Sequence, residues 1–361
     1  MPHKLFRAVF LNNTPLLDVR SPGEFAQGAF PQAINIPLLN DEERAQVGTC
    51  YAQKGQTAAI ALGHNLVSGE VKKNRMALWI DFATKNPQTL IYCARGGLRS
   101  QIVQTWLQDA GISLPRIEGG YKALRGYLLE QIDHISPRLP LIVLGGFTGS
   151  GKTRLLKQCA HHIDLEALAN HRGSAFGSQF TAQPTSQNFE NSLAIRLIKL
   201  SRKDPAQLLL EDESHLIGKL LIPPVLFYRM SESPLLVLDT PIEERARIVL
   251  GEYVIDEWTT RYQHLPNGHN ELALMLKTKL KKISKKLGGA LFNEIAGDID
   301  KATEQHMSAS TFDSHLVWTQ KLLTRYYDPM YAHHLGKNQS RVIYRGQTND
   351  ILTKILTQTL E

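Results

Sequence analysis

The chain has 361 residues, of which 42% are hydrophobic and 21% are charged, a composition that excludes a disordered or fibrous protein. This length exceeds one ordinary core and predicts roughly two or three domains. The net charge of +7 is modest and spread along the chain. No apolar run reaches the roughly 18 residues of a membrane span, the N-terminus lacks a signal-peptide pattern, and three cysteines cannot form a disulfide framework. We therefore expect a soluble, cytoplasmic protein.

The first third of the chain alternates between two kinds of pattern. Short apolar runs predict strands at residues 15–19, 33–36 and 89–92, and apolar residues at three- and four-residue spacing predict helices at 98–110 and 121–132. Such alternation is typical of an α/β domain with a parallel sheet. We assign this domain to residues 1–133 and a linker with two prolines to residues 134–140.

A cysteine loop follows the third predicted strand. Cys93 opens the stretch C-A-R-G-G-L-R-S, in which Gly96 and Gly97 can adopt positive φ and turn backbone amides inward. Such a nest, with Arg95 and Arg99 beside it, stabilises a thiolate or a bound oxyanion. The alternative is a buried structural cysteine, which would gain nothing from two arginines and two glycines. The pattern therefore predicts a catalytic Cys93 in an anion-binding loop.

A second α/β unit opens with a strand predicted at residues 141–145. The strand runs into a sequence that fits G-x-x-x-x-G-K-[ST], and a helical pattern follows, as a phosphate-binding P-loop requires. The predicted polyphosphate-binding residues are Gly146, Thr148, Gly149, Ser150, Gly151, Lys152 and Thr153, with Arg172 of the H-R-G-S-A-F-G loop as a second cation. That last loop fits a helix C-cap and turn equally well.

Two later apolar runs, at residues 207–210 and 235–238, end in acidic residues. Asp239 is the best candidate for a carboxylate beside a bound Mg²⁺, with Glu211 and Asp212 second, although each fits a plain cap of the next element equally well. We assign the P-loop α/β domain to residues 141–260. Residues 261–361 are mostly helical with a last strand at 341–344, and either extend the P-loop domain or stand apart from it.

A basic stretch stands out within this C-terminal region. Ten residues hold six lysines and no acid: Lys277, Lys279, Lys281, Lys282, Lys285 and Lys286. Four apolar residues, Leu276, Leu280, Ile283 and Leu287, share one helical face, so the lysines take the other faces and a solvated surface is the default interpretation. If the substrate is RNA, its phosphates are predicted to contact Lys277, Lys281, Lys282 and Lys285.

Four separated motifs in about residues 5–130 resemble the rhodanese domain. They are D-V-R at residues 18–20, G-A-F-P-Q-A-I-N-I-P, the cysteine loop, and E-G-G-Y from Glu118. The resemblance implies that Cys93 carries a chalcogen atom, and we expect Asp18 and Arg20 to brace its loop. The spacing C-x5-R is one residue longer than in most sulfur-transferring rhodaneses and matches the cysteine-dependent phosphatases. The loop therefore suits a tetrahedral anion.

Over essentially its whole length the chain resembles the bacterial tRNA 2-selenouridine synthase family. The motifs that carry this resemblance are R-A-Q-V-G-T-C-Y, C-A-R-G-G-L-R-S, G-F-T-G-S-G-K-T, H-R-G-S-A-F-G and E-D-E-S. The resemblance implies a two-step exchange on tRNA. The wobble 2-thiouridine is geranylated from geranyl diphosphate at the P-loop, and selenium from selenophosphate then replaces the geranylthio group at the cysteine loop.

Three other functions remain open at this point. A rhodanese-type sulfurtransferase with an ATP-using P-loop domain would turn over thiosulfate and cyanide. A C-x5-R phosphatase would need a general-acid Asp near the loop, and none is identifiable in the sequence. A non-enzymatic tRNA-binding module would have no use for Cys93, Lys152 and Thr153 together.

Overall fold

The computed structural model describes residues 2–174, 176–203 and 205–357. It divides into two compact units, Met1–Arg138 with Pro184–Asp204, and Leu139–Gln183 with Pro205–Glu361. Ala175 of the H-R-G-S-A-F-G loop and residues 358–361 of the predicted helical region lie outside the described residues. Within the described ranges, no helix is both long and apolar enough to cross a membrane.

Residues up to 138 form helices on a small parallel sheet. The elements are α1 (Pro2–Leu11), β1 (Leu16–Asp18), α2 (Pro22–Gln27), β2 (Ala33–Asn35), α3 (Asp41–Leu66), α4 (Gly69–Lys85), β3 (Leu90–Tyr92), α5 (Leu98–Asp109), α6 (Gly120–Ile135) and a 3₁₀ turn (Ser136–Arg138). The strand order is β2–β1–β3, and every pairing is parallel. This confirms the predicted α/β domain with its three strands and two helices. The long helices α3 and α4 were not predicted.

The rest of the chain builds the second unit, except for one helix. The elements are β4 (Leu141–Gly146), α7 (Lys152–Leu156), β5 (His162–Ile163), α8 (Leu165–Ala169), α9 (Ser186–Ser201), β6 (Leu208–Glu211), β7 (Leu216–Ile217), β8 (Leu220–Leu221), α10 (Pro224–Glu232), β9 (Leu235–Leu238), α11 (Ile242–Leu250), π-helical turns (Gly251–Ile255 and Trp258–Tyr262), α12 (Gly268–Lys281), α13 (Ser284–Leu287), α14 (Gly289–Ala309), a 3₁₀ turn (Asp313–His315), α15 (Leu316–Leu322), a π-helical turn (Leu323–Tyr327), α16 (Asp328–Lys337), a 3₁₀ turn (Gln339–Arg341), β10 (Val342–Gly346) and α17 (Thr348–Leu356). Five strands form a parallel sheet of order β10–β9–β4–β6–β5.

The central strand of this sheet places the P-loop. β4 is buried throughout and pairs with β6 on one side and β9 on the other. In open parallel sheets, ligands bind at the carboxyl ends of the strands, where connections leave for opposite faces. The P-loop begins at that end of β4, and β6 ends beside it at Glu211. The topology therefore brings the phosphate motif and an acidic strand end together.

Helix α9 lies between β5 and β6 in the chain but belongs to the first unit. Arg125 of α6 donates to Asn191 Oδ1 at 2.9 Å and pairs with Glu190. The Asn191 amide donates in turn to Ala29 O at 2.8 Å. Polar groups that are buried between helices need hydrogen-bond partners, and these contacts supply them. The predicted range 141–260 thus contains a segment, 184–204, that the structure assigns to the other unit.

The C-terminal helices share a unit with the P-loop sheet. Their core centres on buried apolar side chains that include Leu272, Leu276, Ile299, Trp318 and Leu322. β10 then returns to the edge of the sheet beside β9. The structure therefore places the described residues from 261 onward in the P-loop unit, the alternative that the sequence left open.

Candidate functional site

The Cys93 thiol lies at the end of β3, under the loop that leads into α5. Only 3% of Cys93 is exposed. Its Sγ is 3.3 Å from the hydroxyl of Ser100 and 3.8 Å from Gly97 O. The Ser100 hydroxyl also donates to Gly97 O at 3.0 Å. Ser100 has one hydroxyl hydrogen, which it can donate either to Gly97 O or to the sulfur. The thiolate is the form in which cysteine is a nucleophile.

Gly96 gives the loop its shape. Its φ is 63°, and a Cβ there would lie 2.6 Å from both Gly119 N and Ile117 O. Only glycine fits so close to another backbone at this φ. The positive φ predicted for Gly96 is confirmed, whereas the one predicted for Gly97 is wrong, because its φ is −91°.

The predicted loop cations differ in their surroundings. Arg95 is exposed, whereas both terminal nitrogens of Arg99 bind Glu24 of α2, one of them at 3.0 Å. Burial alone would raise the pKa of Glu24, but the hydrogen bonds and charge of Arg99 lower it to about 2. Glu24 was not identified from the sequence, because 75 residues separate it from Arg99. Its ionised carboxylate holds Arg99 in place beside the loop.

Asp18 and Arg20 brace the loop, as predicted. The Arg20 guanidinium donates to Asp18 at 2.6 Å, and both side chains are buried. The guanidinium also lies 4.0 Å from the centre of the Tyr121 ring. The backbone amide of Tyr121 donates to Cys93 O at 2.8 Å. A chain of contacts therefore links the ion pair to the carbonyl of Cys93 through Tyr121.

The P-loop surrounds a small polar cavity of about 60 Å³. Its predicted residues from Thr148 to Thr153 line this cavity, and Gly146 lies at its edge, where its carbonyl accepts from Lys152 Nζ at 3.1 Å. Gly149 has a φ of 76°, and a Cβ there would lie 2.8 Å from Arg245 O, so the turn needs glycine. The loop thus surrounds a polar cavity, and the Lys152 ammonium donates to the loop carbonyls of Gly146 and Phe147.

Arg172 lies at the same cavity, as predicted. It donates to the carbonyl of Glu252 and, at 3.0 Å, to Asp256. Glu252 and Tyr253 come from a π-helical turn and also line the cavity. Such turns occur often at functional sites because they redirect side chains.

Three carboxylates, of Glu166, Glu211 and Glu213, face Lys152 across this cavity. One oxygen from each lies within 4.8 Å of the others. Burial first, and then the charges of neighbouring carboxylates, raises the pKa of Glu166 to about 10 and that of Glu213 to about 7. Burial by itself would lower the pKa of Lys152, but Tyr331 and the three carboxylates raise it. The cluster therefore holds protons at neutral pH unless a cation joins it.

The two predicted metal-side aspartates point elsewhere. Asp239 pairs with Arg345 of the neighbouring strand at 3.1 Å, and Asp212 accepts from His334 at 2.9 Å. Neither lines the P-loop cavity. Successive side chains after a strand alternate in direction. This alternation turns Glu211 and Glu213 toward the cavity and Asp212 away. Of the predicted carboxylates only Glu211 therefore lies in the described cluster, and Glu166 and Glu213, which were not predicted, join it as candidate metal ligands.

Two of the six lysines in the basic stretch form ion pairs, and the other four are exposed. Lys277 pairs with Asp300 at 2.6 Å, and the buried Lys279 pairs with Glu257 at 3.0 Å. The other four lysines, Lys281, Lys282, Lys285 and Lys286, are exposed. Leu276, Leu280 and Ile283 are buried and Leu287 partly so, which confirms the predicted apolar face. Contact with RNA stays a prediction.

Two family profiles match this chain, one over the cysteine loop and one over the P-loop. A rhodanese-like domain profile matches residues 4–126, and a tRNA 2-selenouridine synthase AAA domain profile matches residues 118–361. The tRNA 2-selenouridine synthase of Shewanella sediminis is 45% identical over 348 residues, or 96% of this chain and 94% of that protein. That of Bordetella petrii is 45% identical over 350 residues, with the same two shares. With both profiles matched and relatives this similar along nearly its full length, the chain belongs to the tRNA 2-selenouridine synthase family.

Proposed function

We propose that this protein exchanges the sulfur of a wobble 2-thiouridine in tRNA for selenium, through a geranylated intermediate. One observation carries the proposal: the same chain holds a P-loop cavity and a C-x5-R cysteine loop in which Ser100 lies 3.3 Å from the sulfur. The first suits a departing diphosphate, and the second suits an attack on a tetrahedral anion. The names of its relatives supply the product class.

In the first step the thio group attacks the first carbon of geranyl diphosphate. A carbon–sulfur bond forms, the carbon–oxygen bond breaks, and its electron pair leaves with the diphosphate. The base loses its N3 proton, which the departing diphosphate can accept. The amides from Thr148 to Thr153 and the Lys152 ammonium would bind that leaving group, with Arg172 beside them. Fixed donors aimed at developing charge are usually the largest contribution to such a catalysed step.

In the second step selenophosphate binds in the cysteine loop. The Cys93 thiolate attacks phosphorus, the phosphorus–selenium bond breaks, and hydrogen selenide leaves while a phosphocysteine forms. Selenide then attacks carbon 2 of the geranylated base, and geranylthiol leaves with the selenide proton. Water hydrolyses the phosphocysteine to phosphate. No oxidant or reductant is needed, and because selenide is a good leaving group, the general-acid Asp of a phosphatase is not required.

A divalent cation, Mg²⁺ in the first instance, fits the glutamate cluster. Glu211 Oε1 and Ser150 Oγ are buried at the cavity without a hydrogen-bond partner in the described part of the chain. Buried oxygens need such a partner, and hard cations prefer oxygen ligands. Glu166, Glu211 and Glu213 would hold the ion, which would supply charge to offset the diphosphate.

Binding of Mg²⁺ should release protons and tighten as the pH rises. The cation favours ionised carboxylates, whereas the free cluster keeps protons because the pKa of Glu213 is raised to about 7 and that of Glu166 to about 10. We expect roughly tenfold tighter binding per pH unit for each displaced proton. Calorimetry in buffers of different ionisation enthalpy measures this release. Glu213→Gln should reduce the proton release near neutrality without abolishing it, because Glu166, with a pKa of about 10, would still lose a proton. A proton-neutral titration of the unmodified protein would contradict the assignment.

Mass spectrometry of wobble nucleosides tests the proposed function directly. Thiolated tRNA incubated with the protein and geranyl diphosphate should yield the geranylated nucleoside, and added selenophosphate should convert it to 2-selenouridine. Robust turnover of thiosulfate and cyanide without either nucleoside product would instead favour the sulfurtransferase alternative.

The exposed lysines should contribute to tRNA binding through phosphate contacts. Reversing Lys281, Lys282 and Lys285 to Glu should weaken binding and reduce the slope of log K against log salt by about 0.7–0.9 per lost contact. Filter binding over a salt series measures the slope. Lys54→Glu, at an exposed position of α3, is the control. An unchanged slope in the triple variant would leave the stretch a solvated face.

A further inference from the structure

The first unit contains an apolar cavity that the two proposed chemical steps leave unexplained. Its volume is about 330 Å³. Its lining includes Leu38, Val47, Ala59, Ile60, Ile102 and Trp106, and most of its surface is hydrocarbon. A cavity of this size falls at the lower end of small-molecule sites, at about 300–1,000 Å³.

The cavity adjoins the cysteine loop. Leu98 and Arg99, which line it, form the start of α5 directly after the loop, five and six residues beyond Cys93. On the other side lies α3, which is broken at Gly55, where φ is 81°. The cavity lies along this break, with Tyr51 before it and Ala59 after it. Two lining residues, Tyr51 and Leu98, are 60% and 41% exposed, so the cavity opens to solvent.

Charge around the cavity favours a neutral occupant. Arg99 is tied to Glu24, so its charge is already balanced where it meets the cavity. Lys72 lies against the Trp106 ring, with Nζ 4.0 Å from the ring centre. A diphosphate would gain little from an arginine that is already paired. A hydrocarbon chain would cover apolar surface, which is the dominant source of binding free energy for such groups.

We propose that this cavity binds the geranyl chain of the geranylthio group while selenium displaces it. The inference rests on the proposed function and adds a site to it. A base whose sulfur carries a ten-carbon isoprenoid would seat that chain between α3 and α5, and its carbon 2 would then face the loop that releases selenide. Binding of the geranyl group would thus let the protein select the geranylated base over the unmodified one.

Chain-length preference tests the site. Prepared tRNAs carrying S-geranyl or S-methyl 2-thiouridine are incubated with selenophosphate, and 2-selenouridine is measured by mass spectrometry. The unmodified protein should favour the geranyl substrate by at least tenfold. Ala59→Phe, which fills the cavity, should lose most of that preference while its rate with the methyl substrate holds. Ala52→Phe on the exposed side of α3 should keep the preference.

A second variant covers the case in which Ala59→Phe does not fold. Ile102→Ala enlarges the cavity, so selenation of an S-farnesyl substrate should rise severalfold relative to the geranyl one. If the unmodified protein does not convert geranylated tRNA at all, the proposed function fails. If it converts geranyl and methyl substrates equally, or if Ala59→Phe or Ile102→Ala leaves its preference unchanged, the proposed function stands and the cavity assignment is overturned.

Discussion

Selenium incorporation should fall by at least about a thousandfold when Cys93 is replaced by serine, while geranylation continues at its normal rate. A serine hydroxyl stays protonated at neutral pH and is a poor nucleophile without an adjacent base. In this protein the group beside the sulfur is another hydroxyl, Ser100 Oγ at 3.3 Å, which can donate to a thiolate but cannot act as a base. Mass spectrometry of the tRNA nucleosides should show geranylated 2-thiouridine accumulating in the variant.

The covalent intermediate offers a second readout for the same change. Rapid acid quenching with phosphorus-labelled selenophosphate should trap label on the unmodified protein and none on Cys93→Ser. Cys50→Ser is the matched control, because Cys50 is a free thiol of α3 outside the loop. Loss of both chemical steps in Cys93→Ser would show that the two reactions do not divide between the two loops. Label retained by the variant would rule out attack by this sulfur.

The sequence predicts those parts of the two sites that depend on neighbouring residues. Each site is a short buried strand, a glycine turn and a helix, and that order is readable from apolar runs and glycines alone. Arg99 and Lys152 lie at the starts of α5 and α7, directly after the predicted glycine turns, for this reason. Gly96 has the positive φ expected of it. Backbone shape in such turns is set locally, since a Cβ is excluded wherever the chain approaches itself.

Contacts between distant residues could not be predicted in this way. The partner of Arg99 is Glu24, 75 residues away, and nothing in either segment indicates the other. Helix α9 has apolar residues at helical spacing, but that spacing does not say which core the helix covers. The choice between Glu211 and Asp212, by contrast, could have been made from neighbouring residues alone. Alternation after β6 places Glu211 and Glu213 on one side and Asp212 on the other, a signal present in E-D-E-S that favours the predicted Glu211 over Asp212 and adds Glu213.

The two anion sites also differ in how their cations are balanced. Glu24 is ionised at neutral pH, because Arg99 lowers its pKa to about 2. The charge of Arg99 is therefore balanced by this carboxylate, and the arginine mainly fixes the shape of the loop. At the P-loop, Glu166 has a pKa near 10 and is protonated under the same conditions. The Lys152 ammonium is therefore opposed by less negative charge than three carboxylates would suggest. In the proposed first step, the diphosphate would draw this ammonium away from the loop carbonyls.

Replacing Lys152 with alanine should slow geranylation by about 10²–10³-fold, the loss expected for one donor aimed at a developing anion. The selenation of tRNA that already carries the geranyl group should be unaffected, because that step uses the other loop. Single-turnover assays on thiolated and pre-geranylated tRNA separate the two rates. Lys157→Ala is the matched control, since Lys157 lies just beyond α7 and pairs with Asp164 outside the P-loop. Normal geranylation by Lys152→Ala would show that the P-loop does not take part in the first step. The Lys152 ammonium is the charged side chain of residues 146–153 that would contact the leaving group.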